Sequence, residues 1–135
     1  MRVVTPTEVG PLHDFQVLVT QSPPFTVVTL SGELDVLTVS RLREQVAPLL
    51  ARPGTRILFD LARLRFIDSA GIRVLIDACV RTPPEGGDGA VCGLSGHMRH
   101  LFGMLGLTER FTTYPTLADA LHHPLDIRRH AAPLH

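Results

Sequence analysis

Phe15, Val17 and Val19 alternate with Gln16, Leu18 and Thr20, the two-residue period of a strand with one covered face. Gln21-Ser22-Pro23-Pro24 reads as a turn, and Phe25 to Leu30 as a second strand rich in β-branched residues. Two strands joined this closely predict an antiparallel hairpin. Ser31-Gly32-Glu33-Leu34-Asp35 then reads as a loop. Val39, Leu42, Val46 and Leu49 form the apolar stripe of a first helix, which Thr38 is placed to cap and Pro48 to kink or shorten. After the break at Arg52-Pro53-Gly54, Ile57-Leu58-Phe59 is a short apolar run, as expected of a strand covered on both faces.

The strongest periodicity follows. Ile72, Leu75, Ile76, Cys79 and Val80 recur at i, i+3, i+4, i+7 and i+8, with Arg73, Asp77 and Arg81 between them. Asp68 and Ser69 precede this helix, and both are N-cap types whose oxygens can accept from first-turn N–H groups. Ser69 at such a junction is either a cap or a hydroxyl presented for recognition or modification. Gly71 is read as a point of close backbone approach. Thr82 to Gly89 is a breaker, and its Pro83-Pro84 should shorten the helix before it. Ala90-Val91-Cys92 is a further central strand. Ser95 caps a third helix with Met98, Leu101, Phe102 and Leu105 on one face and Gly106 at its end. Phe111 to Tyr114 is a last short strand, and Thr116 and Asp119 open a fourth helix that Pro124 stops. The order is β-β-α-β-α-β-α-β-α, an α/β chain with a mixed sheet. Residues 1–13 read as a flexible arm, 14–122 as one domain and 123–135 as a tail.

Composition narrows the chemistry. The 135 residues carry thirteen basic and thirteen acidic side chains, every basic one Arg, so the formal net charge is zero. That predicts no general attraction to nucleic acid. No apolar run approaches a membrane span and no signal-peptide pattern opens the chain, so a cytoplasmic protein without membrane association is expected. The two cysteines, Cys79 and Cys92, fit no metal spacing and are expected to be reduced core thiols. His97 with His100, and His122 with His123, have no Cys, Asp or Glu partner at ligand spacing, so no metal is expected. Ile67 stands two before Ser69, where a G-x-S-x-G hydrolase elbow needs Gly, and a Walker loop needs a Lys the chain lacks. No catalytic residue and no cofactor is therefore assigned, and the chain is expected not to be an enzyme.

Three segments together resemble one family. They are Gly32-Glu33-Leu34-Asp35, Phe66-Ile67-Asp68-Ser69-Ala70-Gly71-Ile72, and Met98-Arg99-His100-Leu101-Phe102-Gly103-Met104-Leu105-Gly106-Leu107. The combination, over about residues 14 to 122, resembles the STAS domain of bacterial anti-sigma factor antagonists. The resemblance implies a mixed, mostly parallel sheet of four or five strands with an N-terminal hairpin and about four helices. It implies phosphorylation at Ser69 by an anti-sigma factor with GHKL-type serine kinase activity. The unmodified protein would bind that partner and free a sigma factor, and a PP2C-type phosphatase would reset the switch. It further implies a partner surface of Glu33, Asp35, Asp68, Ser69, Ala70, Gly71 and Arg73. Ala70 departs from the Ser or Thr common in the family, as does Gly93 from a common Asn. The alternative is a non-catalytic STAS subunit of a sensory or other assembly, without phosphorylation. On the first reading, a phosphate would be tolerated at the helix start, because free N–H groups and the helix dipole favour an anion, and Ser69 would be accessible on the same side as the Gly32 to Asp35 segment.

Overall fold

The computed structural model describes residues 14–80 and 89–122. The readings of the arm, of the tail with His123 and Pro124, and of the break around Pro83-Pro84 lie outside these residues. Five strands form one sheet in the order of the chain: β1 (Phe15–Ser22), β2 (Phe25–Leu34), β3 (Ile57–Ile67), β4 (Ala90–Cys92) and β5 (Thr112–Tyr114). β1 pairs antiparallel with β2, from Phe15 opposite Gly32 to Ser22 opposite Phe25, and the remaining neighbours are parallel. The helices are α1 (Val39–Leu50), α2 (Ser69–Val80), α3 (Gly96–Met104) and α4 (Leu117–His122). The expected hairpin, element order and mixed sheet are all present.

Alternation along the strands builds two cores. Val28, Leu30, Leu34, Phe59, Leu61 and Val91 face the larger one, with Val39, Leu42, Val46 and Leu49 of α1, Leu75 and Ala78 of α2, and Met98 and Phe102 of α3. Phe25, Val27, Leu58, Ala90 and Cys92 face the smaller one, closed by Ala120 and partly by Leu117 and Leu121 of α4. Three helices thus cover one face and the last helix the other. Each fully buried Leu or Phe contributes about 1.5–3 kcal/mol by leaving water. Edge-to-face ring pairs add to both cores, Phe102 with Phe111 at 5.9 Å and Phe25 with Tyr114 at 6.2 Å.

Several expectations are corrected. Ser31 to Leu34 is not loop but the end of β2, and β3 runs on from Phe59 to Ile67. β3 carries extra residues against β2, one between Asp60 and Arg63 and one between Leu64 and Phe66. These bulges change the spacing of its buried residues from two (Ile57, Phe59, Leu61) to three (Leu61, Leu64, Ile67), which hides the strand from a period-two reading. Pro48 removes one helical hydrogen bond, yet α1 continues to Leu50, where buried Leu49 and the Ala51 N–H to the Ala47 carbonyl hold its last turn. In α2, Ile72 and Leu75 are buried as expected and Ile76 and Cys79 are partly buried, but Val74 and Ala78 are buried too. The helix lies against both α1 and the sheet and so hides a wider face than its stripe. Leu105 follows α3 as its C-cap and is 53 % exposed, while Gly106 takes the expected positive φ of 73°. Among the described residues, no helix is long and apolar enough to cross a membrane.

Candidate functional site

The site forms where β2 and β3 end side by side. Gly32 has a φ of 91°, and a Cβ there would lie 2.0 Å from the Asp14 carbonyl oxygen, so only glycine fits. The next residue, Glu33, donates its N–H to that same carbonyl at 2.8 Å. The Arg65 guanidinium stands 3.9 Å from both the Asp14 and Glu33 carboxylates. These partly exposed contacts orient side chains more than they stabilise the fold.

A tight turn leads from β2 into α1. The Asp35 carboxylate accepts from the Leu37 N–H at 2.9 Å and the Thr38 N–H at 3.1 Å. Buried Thr38 donates its hydroxyl to the Glu33 carbonyl at 2.8 Å and accepts from the Asp35 N–H at 3.0 Å. Thr38 occupies the N-cap position, but its side chain makes no cap bond; it braces the turn from within. The turn holds Val36 and Leu37 outward, 70 % and 63 % exposed.

Asp68 joins this turn to α2. Its N–H donates to the Leu34 carbonyl at 3.1 Å. One carboxylate oxygen accepts from the Ala70 N–H at 2.9 Å and the Gly71 N–H at 3.1 Å, and the other from the Val36 N–H at 3.1 Å. Asp68 is therefore the helix cap, and Ser69 is left as the first helical residue, exposed. Among the described residues the Ser69 hydroxyl has no hydrogen-bond partner. This separates the two roles that the sequence left open between Asp68 and Ser69. It also corrects the reason given for tolerating a phosphate there, because the Ala70 and Gly71 N–H groups counted as free already serve Asp68.

The remaining residues of the expected partner surface divide. Glu33, Asp35 and Asp68 are half-buried around the junction, Ala70 is half-buried against the larger core, and Arg73 is exposed one turn into α2. Gly71 is buried, so it offers a partner no side-chain surface. A Cβ there would meet Leu34 Cγ at 2.7 Å and Ile67 Cγ1 at 2.9 Å, so the close approach is to side chains rather than to backbone. Val36 and Leu37 escaped the sequence reading, although two apolar residues in an otherwise polar turn were the available signal. Phe66, just before the junction, is also 48 % exposed.

Away from the junction the reactive groups are dispersed. Among the described residues no group of His, Cys, Asp and Glu is placed to hold a metal, and His97, His100 and His122 are exposed. Cys79 and Cys92 are free. Burial pushes the Cys79 thiol up to about 12. Burial, then the charge and hydrogen bonding of Asp60, push Cys92 up to about 12 as well.

The STAS domain family profile matches residues 16–120, and the chain belongs to that family. The chain is similar to an anti-sigma F factor antagonist of Paenibacillus polymyxa, 32 % identical over 96 residues, spanning 70 % of this chain and 82 % of the relative. It is 28 % identical over 95 residues to the anti-sigma-F factor antagonist RsfB of Mycobacterium tuberculosis, covering 70 % of this chain and 77 % of that one. The crystal structure of an anti-sigma factor antagonist from Mycobacterium paratuberculosis superposes with a TM-score of 0.74 at 28 % identity, over 85 % of this chain and 95 % of that one.

Proposed function

We propose that this chain is an anti-sigma factor antagonist whose binding is switched at Ser69. In its unmodified form it binds an anti-sigma factor that is also a GHKL-type serine kinase, and so releases a sigma factor. The function resides in residues 14–122 and is exercised in the cytoplasm, where ATP and sigma factors meet. The observation that carries the reading is the division of labour at the start of α2. Asp68 takes the capping bonds, so the Ser69 hydroxyl can be modified without costing the helix its cap. Relatives named for the same activity support it.

In the transfer step, Ser69 Oγ forms a bond to the γ-phosphorus of ATP while the bond to the ADP oxygen breaks. The hydroxyl proton passes to a base of the kinase. A phosphoserine carries about −1.5 to −2 charges near neutral pH. The new charge stands beside Asp68 and across from Asp35, on the surface formed with Glu33, Ala70 and Arg73. Unit charges about 4 Å apart interact by about 4 kcal/mol at an effective dielectric near 20. A hundredfold loss of affinity needs only about 2.8 kcal/mol, so a screened repulsion suffices without refolding. A phosphatase of the PP2C type hydrolyses the ester and restores binding.

The test is incubation of the full chain with its cognate kinase and ATP, followed by mass spectrometry of the intact protein. The wild type should gain one phosphoryl group, localised to Ser69, and Ser69→Ala should gain none. Equal modification of Ser69→Ala would move the switch elsewhere.

A further inference from the structure

The N–H groups of Ala70, Gly71 and Val36 are not free to cradle a phosphate at Ser69. The Ala70 and Gly71 amides are held by Asp68 at 2.9 and 3.1 Å, and the Val36 amide by the other Asp68 oxygen at 3.1 Å. Two carboxylates are held at this junction by backbone N–H groups, Asp68 on the same helix end and Asp35 on the facing turn. Of the cations, Arg65 is occupied 3.9 Å from both Asp14 and Glu33. Arg73 is different. It lies four residues after Ser69 in α2, both residues are exposed, and it makes no ion pair among the described residues. Asp77, a further turn on, is half-buried and does not hold it.

The geometry points to Arg73 as the intramolecular counter-ion of the phosphate on Ser69, an inference that rests on Ser69 being the phosphorylated residue. Side chains at i and i+4 stand about 5–6 Å apart at Cβ, and an anion on the N-terminal member is the favourable orientation. A guanidinium can take two phosphate oxygens at once, in parallel hydrogen bonds. Phosphorylation then acts twice on the partner surface. It adds negative charge at Ser69, and it draws the Arg73 cation out of that surface onto the helix. The off state is in this way fixed by the chain itself, before any partner arrives.

The test uses phosphoserine encoded at position 69 during synthesis, so that no kinase is needed, in the full chain with Arg73, Arg73→Gln or Arg73→Lys. Phosphorus NMR follows the second ionisation of the phosphate, ordinarily near 6. With Arg73 it should lie lower than with Arg73→Gln by about 0.2–0.4 unit at low salt. The difference should shrink in ~1 M salt, where screening acts over about 3 Å. Arg73→Lys should recover part of the shift, which a merely structural role of the residue would not give. An ionisation unchanged by Arg73→Gln, or a difference insensitive to salt, would overturn the pairing. Failure of the kinase to modify Ser69 is a separate result, which would remove the proposed function but leave this titration to be read on its own.

Discussion

Replacing Asp68 by alanine should loosen the junction between the turn after β2 and the start of α2. The carboxylate accepts three backbone N–H groups, from Ala70, Gly71 and Val36, at 2.9, 3.1 and 3.1 Å. Loss of an N-cap of this kind costs about 1 kcal/mol. Gly71 is buried, so its N–H cannot simply turn to water, and a buried unsatisfied donor costs about 1–3 kcal/mol. The exposed Val36 N–H recovers a water and adds little. The sum is about 2–4 kcal/mol. Asp68→Asn keeps one acceptor oxygen for the helix and should lose about half as much. Urea unfolding followed by circular dichroism measures both, and for a slope of about 1–3 kcal/mol per molar the alanine variant should shift its midpoint by roughly 1–2 M. An Asp68→Ala protein within about 0.5 kcal/mol of the wild type would refute the claim that this side chain ties the turn to the helix.

Leu75→Ala should destabilise by about 2–5 kcal/mol in the same assay, because Leu75 is fully buried between α2 and the sheet; a loss below 1 kcal/mol would contradict that packing. Gly71→Ala should cost about 1–3 kcal/mol, since its methyl would press on Leu34 and Ile67 at under 3 Å, and an unchanged midpoint would show that those side chains yield freely. The thiols of Cys79 and Cys92, pushed up to about 12, should resist alkylation at pH 8 in the folded protein and react once urea unfolds it. Their pH linkage has a definite sign. The unfolded chain releases these protons from about 9 upward while the folded chain keeps them to about 12, so stability should be level below pH 9 and fall above it, by up to about 1.4 kcal/mol per pH unit for each thiol.

Much of this architecture is written in local pattern. The β1 alternation, the stripes of α1 and α2, and the Ser95 cap, whose side chain accepts from the Met98 N–H at 3.1 Å, are set by neighbours in sequence, and each stands where the pattern put it. The second half of β3 was not legible, because bulges give its buried side chains a spacing of three that matches neither a strand nor a helix. Gly32 and Asp35 are turn-forming types that disguise Leu34 as loop, whereas pairing with β3 keeps that segment extended. At the site, the residue types at Asp68 and Ser69 suit either capping or recognition. The bonds from the Ala70 and Gly71 N–H groups make Asp68 the cap, and the one from the Val36 N–H, across thirty-two positions, ties the facing turn to it. Tertiary contacts of that kind leave no periodic mark.

The most direct test of the switch is calorimetry of the full chain against its cognate anti-sigma factor, with nucleotide present. Unmodified protein and the protein enzymatically phosphorylated at Ser69 would be compared, with Ser69→Ala as the form that cannot be modified. The unmodified and Ser69→Ala proteins should bind alike, and phosphorylation should weaken binding about a hundredfold or more, equivalent to about 2.8 kcal/mol. Equal affinity of the phosphorylated and unmodified forms would contradict the switch and leave an assembly role for the domain in its place.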